Sequence, residues 1–180
     1  MAEVASDDDE YYGEEVSLLS LLLGDVELRR RFIGNSQQVA RELTDDPATI
    51  EFLMKLDHLQ LEKQAESLVS KRQHEVAALM PVTWQQLGGT AVSRFRNFAA
   101  ESSWPQGHTR HISDAEAFSS WLFERQVREL EIAEWNRLRF RLTDRRLAIR
   151  ILSNGQILPR LQILLRQKDG RIRDYMYGWE

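Results

Sequence analysis

The 180-residue chain carries 28 acidic and 24 basic side chains, a formal charge of −4 and no cysteine. The missing thiols exclude disulfides, thiolate metal sites and cysteine nucleophiles, and the length suits one ordinary domain or two small modules sharing a core. No apolar run approaches the roughly 18 residues of a membrane helix, and the acidic start lacks the basic opening of a secretory signal, so a cytoplasmic protein is expected.

Charge is unevenly placed. Residues 1–27 hold nine acids and no Lys or Arg, whereas residues 137–180 hold eleven Lys and Arg against four acids. The head, residues 1–15, reads as a disordered acidic tail, and residues 16–136 read as a helical domain. Asp25 is placed to cap a short helix with Val26, Leu28 and Phe32 inward, ended by Gly34-Asn35. Ser36 starts the next, with Val39, Ala40 and Leu43 inward. Asp46-Pro47 is a helix start, a capping acid followed by proline where no N–H is needed. Asp57 and Gln60 have capping-box spacing and open the longest helix, to about Leu79. Pro81 stops it, Thr83 caps a short turn from Trp84 to Leu87, and Thr90 caps a helix carrying Val92, Phe95, Phe98 and Ala99.

The loop SSWPQGHTRH then brings Trp104, His108, Arg110 and His111. Ser113-Asp114-Ala115-Glu116 is S-x-x-E, a capping box ahead of Phe118, Trp121 and Leu122. The two loop histidines lack the i, i+4 helical spacing of a zinc motif and have no third imidazole nearby. A site built on His108, His111 and Asp114 is therefore the weakest of three readings. Trp104 is the tryptophan expected to stand exposed.

After Trp135 the period changes from 3.6 to 2. Arg137, Arg139 and Arg141 alternate with Leu138, Phe140 and Leu142, and Leu147, Ile149 and Ile151 alternate with Ala148, Arg150 and Leu152. Asn154-Gly155 and Asp169-Gly170 are hairpin signals. The expectation is an antiparallel β-meander of about four strands over residues 137–180. Its aliphatic face is expected against the helices and its basic face, with Arg139, Arg141, Arg150 and Arg173, toward a partner. The fold class is thus α+β, an N-terminal helical bundle packed on a C-terminal meander.

Catalytic signatures are missing: there is no G-x-S-x-G, P-loop or G-x-G-x-x-G, and no acid–base pair stands out. The expected protein is not an enzyme and needs no cofactor or metal. Arginines on strands with Tyr175, Tyr177 and Trp179 suit an anionic or peptide ligand, and a sheet edge can take an extended peptide as an added strand. Nucleic acid is the alternative, since aromatics among basic groups stack bases, although the acidic head opposes it.

Residues Ser67 to Leu122, with Lys71-Arg72, Pro81, Thr83, Leu87-Gly88, Phe95, Phe98, His111, Asp114 and Phe118, resemble a bacterial domain associated with multinuclear non-haem iron-dependent oxidative enzymes that modify ribosomally made peptides. The ending WNRLRFRL…LQILLRQKDGRIR is also similar. The resemblance implies a noncatalytic accessory partner that binds the oxidase and helps recognise or present its precursor peptide, the iron ligands belonging to the enzyme. Peptide or partner contacts are then expected from Trp104, His108, Arg110, His111, Arg139, Arg141, Arg150 and Arg173.

Overall fold

The computed structural model describes residues 7–105, 107–152 and 159–178, with side chains from Gly13 onward. Its helices are α1 (Asp7–Gly24), α2 (Val26–Gly34), α3 (Ser36–Leu43), α4 (Pro47–Met54), α5 (His58–Leu79), α6 (Pro81–Leu87), α7 (Ala91–Glu101), α8 (Arg110–Glu124) and α9 (Ile132–Arg141). Three strands follow, β1 (Leu147–Leu152), β2 (Arg160–Arg166) and β3 (Ile172–Tyr177), in one antiparallel sheet ordered β1-β2-β3. The α+β class stands, with three strands in place of about four.

The chain divides into two compact units, residues 1–71 with 100–103, and residues 72–99 with 104–180. The division does not fall at residue 137, so the sheet shares its unit with the helices before it. In the first unit, Leu22, Phe32, Val39, Ala40, Leu53 and Leu61 form the buried core. The expected caps are present. Asp25 accepts from Leu28 N and Asp57 from Leu59 N and Gln60 N. Asp46 accepts from both the hydroxyl and the N–H of Thr49, which hold its carboxyl below the usual range. The first helix begins at Asp7, inside the segment expected to be disordered to residue 15. Acidic residues in a first turn are favoured by the helix dipole, so the acidic run starts this helix. Residues 1–6 lie outside the described residues.

The second unit is built around aromatic rings. Phe118 sits 5.3 Å from both Phe95 and Phe98, and Trp84 leans on Phe95 and Phe118 at 6.2 Å. Pro81 ends α5 and also serves as the first residue of α6, which starts two residues before the expected Thr83 cap. The cap comes instead from far along the chain. Glu134, buried, accepts from Val82 N at 2.9 Å and Thr83 N at 2.8 Å. Thr83 answers by accepting from Glu131 N at 3.0 Å. The starts of α6 and α9 therefore clamp each other. Glu134→Ala strands two donors and is expected to cost roughly 2–4 kcal/mol in chemical denaturation, with Glu134→Gln losing less.

Residues 137–141, expected as a strand, are the end of α9. Leu, Arg, Glu and Ala are strong helix formers, Glu134 lies in the first turn and Arg139 and Arg141 in the last, where each suits the dipole. These local terms outweigh a short period-2 run. The β2–β3 turn is tight, with Gly170 at φ 81° and its N–H on Gln167 O; the left-handed φ is one that glycine takes without strain. The Asn154-Gly155 turn lies outside the described residues.

Candidate functional site

Register decides which side of the sheet each residue occupies, because directly opposed residues share a face. Leu147, Ile149 and Ile151 of β1 oppose Leu165, Ile163 and Leu161 of β2. These in turn oppose Arg173, Tyr175 and Tyr177 of β3. Nine side chains thus form one face, six of them aliphatic. Ile149 is 53% exposed, Ile151 75% and Tyr177 54%. The other face carries Ala148, Arg150, Leu152, Gln162, Leu164, Arg166 and Asp174.

The covered face is the polar one, the reverse of the expectation. Leu152 and Leu164 are buried on it, but its centre is Gln162, fully buried. Gln162 Nε2 donates to Ala133 O at 2.9 Å and to Asp174, and its Oε1 accepts from Asn136 Nδ2. Asp174 also pairs with Arg137 at 2.9 Å. A satisfied polar network therefore seats the sheet on α9, which is how a buried amide avoids an unmet desolvation cost. The helix is occupied by that network, and the aliphatic side is left open.

The arginines expected on one basic face are scattered. Arg137 is in the network. Arg139 lies over the Trp135 ring at 5.4 Å. Arg141 is exposed in the last turn of α9. Arg150 is on the α9 side of the sheet, and Arg173 is on the open side, donating to the Tyr175 hydroxyl at 3.3 Å. Arg166 is spent as a cap, donating to Phe140 O, Thr143 O and Arg145 O. The structure does bring Arg139 and Arg150 together, on a cleft of about 190 Å³ that Arg145 also lines.

The 104–111 segment also departs from expectation. Helix α8 starts at Arg110, so His111 is helical and the S-x-x-E run lies inside the helix. Asp114 is not a cap. It is buried, accepting from Arg72 Nε at 3.0 Å and Nη2 at 2.8 Å. The same guanidinium lies within 6 Å of the Phe95, Phe98 and Trp104 rings. Glu116 accepts from Trp135 Nε1 at 3.1 Å. Trp104, expected to be exposed, is half-buried between Arg72 and Arg110, the latter 4.8 Å from its ring. His108 is exposed. Among the described residues no group of three or more His, Asp or Glu is placed to hold a metal ion, and no helix is long and apolar enough to cross a membrane.

Fold and surface together define an α+β protein whose most distinctive feature is an exposed, largely apolar sheet face. Residues 54–124 match the family described as SCO6045-like, C-terminal domain. The matched stretch runs from the end of α4 to the end of α8, and so takes in the Arg72–Asp114 pair and the aromatic cluster and leaves out α9 and the sheet. No curated protein and no solved structure matches the chain significantly.

Proposed function

We propose that this chain is a noncatalytic, cytoplasmic partner protein that binds a peptide-modifying multinuclear non-haem iron oxidase and helps recognise or present its precursor peptide. The observation that carries the reading is the open sheet face. A contiguous surface of six aliphatic side chains and two tyrosines on three strands is larger than the scattered exposed hydrophobes normal on a monomer. Its tyrosines and Arg173 are residue types enriched at interface hot spots. Docking the oxidase there would remove the aliphatic side chains from water. The outer edges of β1 and β3 pair with no other strand among the described residues, which suits capture of an extended peptide by main-chain hydrogen bonds.

Nucleic acid is less well supported. Base stacking beside phosphate contacts needs rings and several arginines on one surface, and here Tyr175 and Tyr177 share their face with Arg173 but not with Arg150. The test is co-expression with a multinuclear iron oxidase from the same gene neighbourhood, followed by size-exclusion chromatography. The expected result is a co-eluting complex at micromolar concentration and faster peptide modification than with the oxidase alone. Separate elution with and without precursor peptide overturns the reading.

A further inference from the structure

We propose that the cleft between α9 and the polar side of the sheet binds a single oxyanion group, a carboxylate on an acidic peptide or a free phosphate. Arg139 comes from α9, Arg145 from the loop after it and Arg150 from β1, and all three line the same concavity. Among the described residues none of the three has a carboxylate partner, and no acid lines the cleft. The acid that the strands place on the covered face, Asp174, is engaged by Arg137 and Gln162. Three like charges lining one cleft without a carboxylate counterion repel one another, Arg150 being held, among the described residues, only by a bond to the carbonyl of Ile149, and an anion between them relieves that repulsion. Guanidinium forks bind carboxylate and phosphate oxygens in pairs, so three of them suit one such group well.

The arrangement is held in place. Arg166 pins the loop carrying Arg145 through bonds to the carbonyls of Phe140, Thr143 and Arg145, and Arg139 is stacked on Trp135. The Arg166 guanidinium also covers the carbonyls at the end of α9, which would otherwise repel an anion. Phe140, the ring that lines the cleft, is buried and offers no exposed face on which a base could stack. That favours a small anionic group over a nucleic-acid strand. The site lies on the opposite side of the sheet from the docking face and stands or falls apart from it.

The test uses the full ¹⁵N-labelled chain at low salt, with NMR detection of the arginine Nε–H and Trp135 indole signals. The probes are an end-blocked peptide containing glutamate, its glutamine counterpart, and inorganic phosphate. Saturable shifts at Arg139, Arg145, Arg150 and Trp135 are expected with the glutamate peptide or phosphate and not with the glutamine peptide. Arg150→Gln is expected to weaken binding about tenfold or more, and Arg173→Gln on the other face to leave it unchanged. Phosphate displacing the peptide supports one shared site, and the tighter of the two identifies the source. Equal response to the glutamine peptide, equal loss in R150Q and R173Q, no saturable response to either anion, or tighter binding of a single-stranded oligonucleotide overturns the proposal.

Discussion

Asp114→Ala is expected to destabilise the second unit by about 3–5 kcal/mol, because it leaves the Arg72 guanidinium buried without its counter-charge. Side-chain exposure is 4% for Arg72 and 1% for Asp114, so water cannot take over the lost contacts. The rings around Arg72 offer cation–π attraction, which is worth a fraction of a two-bond ion pair. The loss can be separated from simple loss of packing. Replacing both partners with apolar residues of similar volume, Arg72→Met with Asp114→Leu, removes the stranded charge, and such exchanges are often neutral or stabilising. The single variant should therefore be the worse of the two. Urea denaturation followed by the near-ultraviolet signal of the Phe and Trp cluster measures both. A D114A midpoint equal to the parent's, or a double variant as damaged as the single one, would show that the pair does not hold α5 to α8.

That pair also shows what a sequence conceals. Asp114 lies in an S-x-x-E run, and local rules assign it to a helix start, yet its partner is 42 residues away. Local signals served well where the interaction is local: Asp25, Asp46 and Asp57 cap the helices they precede, and Phe95, Phe98 and Phe118 fall on inward faces. They failed where two periods competed. The run Arg137 to Leu142 alternates like a strand, but its residues are helix formers lying after a capped start at Glu131, and the helix prevails. The sheet failed for a different reason. Periodicity correctly grouped Leu147, Ile149 and Ile151 on one side, but it says which residues share a side and not which side is covered. That was settled by Gln162, a polar residue whose amide is fully satisfied by Ala133, Asn136 and Asp174. The Arg139–Arg150 approach was half legible: both were expected to bind a partner, but as strand neighbours, and Arg145 carried no signal at all.

The same inversion of the sheet yields the second large prediction. If the open face is where the oxidase docks, Ile149→Glu should weaken the complex by about 30- to 1000-fold, the effect of removing an apolar contact next to the centre of the face and burying a charge in its place. Ile149 lies mid-strand on β1, directly beside Ile163, which is in turn opposite Tyr175 and marks the centre of the face, where water exclusion is most complete in a complex. In the free chain the same side chain is 53% exposed, and the folded state should change by no more than about 1 kcal/mol, mainly from lost strand propensity. Ile149→Thr keeps the β-branch and isolates that propensity term. Arg150→Gln, next along β1 but on the other side, should leave oxidase affinity intact. The pattern of loss at 149 with retention at 150 is specific to face-on docking. A partner that instead adds a strand to the β1 edge depends on the backbone, and would tolerate both changes nearly equally. Unchanged affinity in I149E, measured by calorimetry with a correctly folded variant, would remove the sheet face from the interface.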